Sequence, residues 1–417
     1  MTRSIVPVLA LLTGTGILLL GGGLYGTLLA IRAGVEGFSA GTVGAVMAAY
    51  YAGFVIGCLQ CPVLIHRVGQ IRTYAALTAI ASAASLAHAM IVDPIVWGFL
   101  RGIAGLCFAG LYMIIESWLN AKVDQQSRGR VFAVYMMVNL GALAAGQLLL
   151  LTANAQSFAL FCAVSILVSL AAVPLSLTRV EPPAPERRPR LRISTLWRIS
   201  PLGLVGCAGV GLAQGVFWSL TPLYTFAFGL TEDQTALFMV LAVTGGLILQ
   251  WPIGWLSDRR DRRAVLCGVC LVTAMLAAGV VQVGSMYSLP GLLALALLYG
   301  GTSFTIYSLA VAHANDHRSE HGIVALSASL LLVYAIGATT GPLLVGVLVD
   351  RIGAGAVYGF IAVVYASVGA FGIWRMTRRA PPPPEEQGTF VPMARAGALA
   401  GMMDPRAKDG EGSPGSE

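Results

Sequence analysis

Polar and apolar positions in this chain segregate over whole segments. Runs of about twenty uncharged residues recur along its length, and each ends in a short break rich in charge, proline or glycine. A helix needs ~20 apolar residues to cross ~30 Å of hydrocarbon, and twelve runs have about that length. The first six are Ile5 to Ile31, Ala40 to Ile65, Tyr74 to Ile91, Ile95 to Leu119, Val131 to Leu151 and Phe158 to Leu177. After a basic break come Leu202 to Phe228, Thr235 to Leu256, Ala264 to Val283, Leu289 to Ala312, Ile323 to Val349 and Val357 to Trp374. No water satisfies the backbone inside a bilayer, so spans of this length must be helices. The pattern predicts an all-α polytopic membrane protein without strands.

Composition excludes the soluble alternative: 57% of the 417 residues are hydrophobic and 11% charged, with a mean hydropathy of +0.78. The opening "MTRSIVPVLALLTGTGILLL" could pass for a secretory signal, but its apolar run continues without a small-residue cleavage pattern, so it reads as the first helix. Lysine and arginine set the orientation, because basic residues stay on the cytoplasmic side. With both termini inside, 23 of the 26 basic residues are cytoplasmic; Arg32 and Arg351 lie outside and Arg101 lies within a span. The net charge of +7 is then a signal of topology and of contact with membrane lipids, and gives no reason to expect nucleic acid. The expected location is the bacterial-type inner membrane.

Two segments fall outside the bilayer. Residues 179–200, "RVEPPAPERRPRLRISTLWRIS", read as a cytoplasmic linker whose basic face, with Leu196 and Trp197, rests on anionic headgroups. The tail, 379–417, has little to bury and is expected to be disordered and dispensable for the fold. All seven cysteines sit in predicted spans, so "CLQC" and "CGVC" read as small packing residues and imply no disulfide framework. His313, His317 and His321 recur every four residues, but a metal site needs thiolate or carboxylate neighbours, and the reading here is a solvated loop with no metal.

The two halves of the chain repeat each other. "QCPVLIHRVGQIR" closes the second run and "QWPIGWLSDRRDRR" closes the eighth; "YMMVNLGALAAGQLLL" in the fifth echoes "LLVYAIGATTGPLLVG" in the eleventh. Two six-helix units, 1–178 and 201–378, related by an axis along the membrane normal, account for this. "GWLSDRRDRR", Gly254 to Arg263, resembles the loop signature of the major facilitator superfamily, matched at Gly254, Leu256, Asp258, Arg259, Arg262 and Arg263. Asp261 replaces the usual second glycine, and His66 stands where the first-half copy would have its aspartate. "RGIAGLCFAG", "ESWLN", "SRGRVFAVYMMV" and "QWPIGWLSD" are similar to the YcaD-type bacterial group. The resemblance implies the superfamily's twelve-helix fold over residues 1–378 and a secondary transporter of small molecules, read as a monomer without a cofactor.

The signature suggests helix-end electrostatics. Gly254 lets two helices approach, and Asp258 can accept from free amides at a helix N-terminus; by the resemblance, that helix is span five, near Ser127, Gly129 and Arg130. Asp258, Arg259 and Arg262 are therefore gating candidates. Span four holds Arg101 and Glu116, the two charges within the twelve runs, and charges at membrane depth usually face a cavity. They lie about 22 Å apart along the axis, too far to pair, yet within about 60° of one face. Arg101 either lines a pathway or snorkels outward. Glu116 either couples protons or pairs with Arg128 or Arg130.

Uncharged polar and aromatic residues that could face a central cavity are Tyr25, Tyr112, Asn139, Gln147, Gln214, Trp218, Tyr224, Tyr307 and Tyr334, with Gln250 and Thr305. They suit a neutral or amphipathic solute. No phosphate-binding glycine-lysine loop points to an ATP-driven pump, and no histidine-carboxylate group points to an enzyme. The expectation is proton-coupled transport. The Gly341-Pro342 step in span eleven, rather than span five, leans slightly toward export; uncoupled uptake and a non-transporting receptor or scaffold are the alternatives.

Overall fold

A computed structural model of the chain describes residues 2–122, 128–177, 192–286, 288–317 and 323–378, with Gly388, Phe390 and Pro392. The apolar runs fold as helices. The first six give α1 (Thr2–Val35), α2 (Ala40–Val68), α3 (Gln70–Met90), α4 (Pro94–Lys122), α5 (Arg128–Leu148) and α6 (Phe158–Leu170), which continues after a break as α7 (Ala172–Ser176). After the short α8 (Ile193–Ile199), the other six give α9 (Pro201–Ala227), α10 (Glu232–Arg259), α11 (Arg262–Ser285), α12 (Leu289–Asn315), α13 (Ile323–Ile352) and α14 (Ala356–Met376). No strand occurs among the described residues.

Local chemistry places the ends. The Ser39 side chain caps α2 by accepting from the Thr42 amide, and Thr231 and Gln234 form a reciprocal capping box at α10. Gly69, at φ 90°, makes the one-residue turn from α2 to α3 in a region that side chains avoid. Pro174 has no N–H for the carbonyl of Leu170, which fits the break between α6 and α7.

Eleven of the helices are long and apolar enough to cross a membrane, and α3, the third expected span, is not among them. Its buried face is polar. Ser82 bonds to Ser165 and Ser169 on α6, at 2.6 and 2.9 Å, so α3 is held within the bundle partly by hydroxyls. The outward surface is apolar, with Ile95, Phe99, Trp251 and Leu344 among the exposed side chains, as lipid-facing positions require. Trp255 stacks under the guanidinium of Arg259 at 4.1 Å, a pairing suited to a headgroup boundary.

The repeat read from sequence appears as repeated packing. In the first half α2 packs on α4, α1 on α5, and α3 on α4 and α6; adding eight to each label gives the contacts of the second half. Glycine makes these approaches possible. A Cβ on Gly53 or Gly105 would strike the carbonyl of Gly102 or Tyr50, and one on Gly245 or Gly300 that of Leu297 or Ala242. In lipid, where apolar burial does not drive helices together, close backbone packing is the main source of cohesion.

The halves meet through α2 with α13 and α5 with α10. Asp350, near the end of α13, accepts from the backbone amides of Ala40 and Gly41 at 2.9 and 2.8 Å. Glu232, at the start of α10, accepts from the amide of Ala155 at 3.0 Å. These bonds share one end of the bundle, where α2 and α10 begin. At the other end Gly388 and Phe390 of the tail are seated on the second half, and Phe390 packs against the hydrophobic core. For these residues the docking departs from the expectation of a disordered tail with little to bury. Gly254 has a role other than helix approach, since a Cβ there would overlap the Phe390 ring. In the linker, Leu196 is buried against the bundle instead of lying on headgroups, while Trp197 is half-exposed beside Phe371.

If glycine sets the helix approach, Gly53→Val and Gly245→Val should each cost about 1–3 kcal/mol by overpacking. Gly98, with open space around its Cβ position, should accept alanine with unchanged or higher stability. Thermal unfolding of the purified variants checks this, and equal effects at all three positions would count against it.

Candidate functional site

The functional candidates follow from which helix faces turn inward. On α4, Arg101, Phe108 and Tyr112 are spaced by seven and four residues and share a face. With Tyr25 of α1, Tyr50 of α2 and Asn139 of α5, they form one wall of a cavity of ≈ 200 Å³. Trp218 and Ser219 of α9, Gln250 of α10, Phe304 of α12 and Tyr334 of α13 form the facing wall, so both halves contribute.

Arg101 is the one charged residue among the described lining. It is 5% exposed, and its guanidinium carbon lies 5.2 Å from the ring centre of Tyr25 and 4.6 Å from that of Tyr50. Cation–π attraction of this kind offsets part of the cost of burial, but no described carboxylate pairs with Arg101. The Tyr25 hydroxyl is positioned in turn by His88, 3.0 Å away at Nδ1. Two buried polar atoms on the wall have no hydrogen-bond partner: Arg101 Nε and Ser219 Oγ.

Of the sequence candidates, the cavity gathers Tyr25, Tyr112, Asn139, Trp218, Gln250, Tyr334 and Arg101. The others lie elsewhere. Gln147 donates to the carbonyl of Gly23 at 2.9 Å and ties α5 to α1. Gln214 donates to Ser303 at 2.7 Å and ties α9 to α12. Tyr224 donates to the carbonyl of Val280 at 2.7 Å, among Phe228 and Tyr358. Tyr307 packs edge-on behind Tyr334, and Thr305 bonds back into its own helix. A buried amide or phenol needs a partner, and a neighbouring helix supplies one to Gln147 Nε2, Gln214 Nε2 and the Tyr224 hydroxyl.

Glu116 is fully buried behind the cavity wall, one turn beyond Tyr112. The Tyr135 hydroxyl donates to it at 3.4 Å, and Tyr135 lies one turn from Asn139 on α5, within bonding reach of it. The side chains of Arg128 and Arg130, the alternative partners, lie outside the described residues, as do Ser127 and its neighbourhood at the start of α5.

The loop signature forms a separate cluster. Arg262, 2% exposed, donates to Asp316 at 2.6 Å, to Asp258 at 2.9 Å and to the carbonyl of Gly388 at 2.6 Å. Asp258 also accepts from the backbone amide of Phe390 at 2.7 Å. An amide does meet the Asp258 carboxylate, but it comes from the tail. Asp261, in place of the second glycine, caps α11; burial raises its pKa, but hydrogen bonds from the Arg263 side chain and amide outweigh this and hold it below the usual carboxylate range. His313, expected in a solvated loop, is buried at the end of α12 with the ring of His317 4.9 Å away, and His321 lies outside the described residues. The cysteines are free, and no metal-binding group of three ligands occurs among the described residues.

Tyr50, Ser219, Phe304, Tyr135 and Asp350 were missed from sequence. The stripe Met47, Tyr50, Tyr51 and Phe54 repeats at helical spacing and carried a readable signal for Tyr50. Asp350 carried none, because its partner is 309 or 310 positions away.

Comparison with known proteins agrees with this architecture. The family model described as Major Facilitator Superfamily matches residues 11–338. An uncharacterized MFS-type transporter of Enterobacter sp. (strain 638) is 30% identical over 360 residues, covering 86% of this chain and 93% of the relative. The uncharacterized MFS-type transporter YcaD of Escherichia fergusonii is 29% identical over the same shares. The solved structure of the nucleoside transporter NupG matches with a TM-score of 0.70 at 14% identity, covering 91% of this chain and 100% of that one. A bacterial homolog to the human lysosomal transporter Spinster, in an inward-facing and occupied conformation, matches at 0.68 and 14%, covering 91% and 97%. At such identities the solved structures speak for the fold alone, whereas the family match spans most of the sequence. The chain belongs to the Major Facilitator Superfamily, a class of membrane transporters that are not enzymes.

Proposed function

We propose that this chain is a proton-coupled secondary transporter of the cytoplasmic membrane, in which residues 1–178 rock against residues 201–378 around the cavity lined by Arg101. The observation that carries this reading is the cavity itself, built by both halves and bounded at one end by the bonds of Asp350 and Glu232. On the orientation read from the basic residues, that end is the outer one, and the conformer is read as inward-facing. Alternating access then requires those bonds to break while the cytoplasmic ends close. Of the two directions, the Gly341-Pro342 step of α13 leans toward export.

Glu116 is the proposed proton site. It touches the cavity through Tyr135 and Asn139, so a solute or water bound there can change its surroundings as the halves move. Arg262 and Asp258 are assigned the role of holding the cytoplasmic loop in this conformer, with Arg259 anchoring it at the headgroups through Trp255.

Transport is tested by counterflow in proteoliposomes, using a solute selected by thermal shift from a panel of neutral, anionic and cationic compounds. Glu116→Gln should reduce proton-driven accumulation by about tenfold or more, with exchange at zero gradient retained. Parallel loss of both activities, with lower thermal stability, would make Glu116 a structural residue. Undiminished accumulation would remove it from coupling.

The outer closure can be tested without any solute. Asp350→Ala leaves two first-turn amides of α2 without their acceptor, a loss of about 1–2 kcal/mol. The amides of Ala40 and Gly41 should then exchange with deuterium roughly 5- to 30-fold faster, while those around Gly53 stay protected. Unchanged exchange at the start of α2 would show that Asp350 does not hold the halves together.

A further inference from the structure

Resting on the transport reading of the same cavity, we infer that its solute is an amphipathic organic anion: one carboxylate, sulfonate or phosphate group on an aromatic or otherwise apolar body. Arg101 is the observation that carries this. A cation 5% exposed, with no carboxylate partner among the described residues, is costly at membrane depth, and an incoming anion relieves that cost. The rings of Tyr25 and Tyr50 occupy the neighbourhood of the guanidinium, and its Nε–H has no acceptor. Guanidinium donors lie in the plane of the group, where they match a carboxylate or phosphate edge.

The surrounding groups favour the same sign. The Ser219 hydroxyl, buried and without a partner, can supply a second donor, and the Asn139 amide lies on the same wall. No acidic side chain occurs among the described lining residues to repel an anion or take its place on Arg101. A cationic solute would meet Arg101 as a like charge. Phe54, Phe108, Trp218 and Phe304 offer apolar and aromatic surface for the body of the molecule. Arg101 and Asn139 belong to the first half and Ser219 and Trp218 to the second, so a bound anion bridges the two halves.

The test uses the full chain in detergent and three probes of one shape: 1-naphthoate, 1-naphthamide and 1-naphthylmethylammonium. Titration calorimetry should show 1-naphthoate binding at least about tenfold tighter than the amide, the scale of a charge-assisted hydrogen bond, and the ammonium weakest. Arg101→Gln should abolish that preference, and Arg101→Lys should retain part of it. The wild-type comparison decides by itself if Arg101→Gln does not fold. Dodecanoate, bound more tightly than 1-naphthoate and again through Arg101, would support the anion site and assign its solute to lipid-derived acids. The reverse order would support it and assign water-soluble acids. Equal affinity for the three naphthyl probes, a preference that survives Arg101→Gln, or no binding of either acid would overturn the inference. Binding with the expected preference but no counterflow would leave the anion site standing and overturn transport. Arg101-independent counterflow of a neutral or cationic solute would do the opposite.

Discussion

Away from water, every charge and every free backbone amide has to be met by another part of the chain, and the described structure is organised by that requirement. Helices satisfy the backbone internally along their length, which leaves their ends and the few ionised side chains as the places where partners must be found. At one end of the bundle the first amides of α2 are met by Asp350 of the opposite half. At the other, Arg262 is met by Asp316, Asp258 and a carbonyl of the tail. Arg101, in the cavity wall, has aromatic rings for company and no carboxylate among the described residues. Arg262 finds carboxylates for both of its terminal nitrogens, and only its Nε lacks an acceptor, whereas no described carboxylate reaches Arg101, which keeps capacity for a ligand.

The two kinds of contact suit different mechanical roles. Inside each half, α2 on α4 and α10 on α12 touch backbone to backbone at glycines, so neither pair can slide without collision. Between the halves, α2 meets α13 at Gly44 and Gly346 near the closed end, and there Asp350 bonds the first amides of α2 while Glu232 bonds the turn at Ala155. Such bonds can be exchanged for water when the ends separate, because an exposed carboxylate and exposed amides are both well solvated. The glycine contact of α2 with α13 lies near the end where these bonds form, and the rest of the facing surfaces line the cavity. The cavity lies where the two halves face each other, and its polar groups come from both.

Much of the fold could be read from the residues because its causes are local. Twelve apolar runs, the repeat of a Gln-x-Pro step at Gln60 and Gln250, and the bias of arginine to alternate breaks are properties of short stretches, and each became a helix, a matched packing pair or an orientation argument. The third run shows the limit. Hydropathy alone gives no reason for Ser82 to sit opposite Ser165, yet that pairing lets a less apolar helix remain in the bundle. The site was legible in part. Tyr25, Tyr112, Asn139, Trp218 and Tyr334 reach the cavity, but Gln147, Gln214 and Tyr224, of the same chemical types, are used to tie neighbouring helices together.

The sequence by itself determined that the chain forms apolar helices in two similar halves, and that Arg101 and Glu116 are charges needing an explanation. Those conclusions follow from hydropathy, spacing and the cost of charge in lipid, which are carried by each segment alone. Only the tertiary structure decided that Arg101 faces the cavity while Glu116 lies behind it, that Asp350 closes one end, and that Phe390 fills the space left by Gly254. Each of these is a choice of partner across tens or hundreds of positions. A helix offers the same side chain to several possible neighbours, and which one it meets depends on the rotation and crossing of packed helices, a property of the whole bundle and of no single segment.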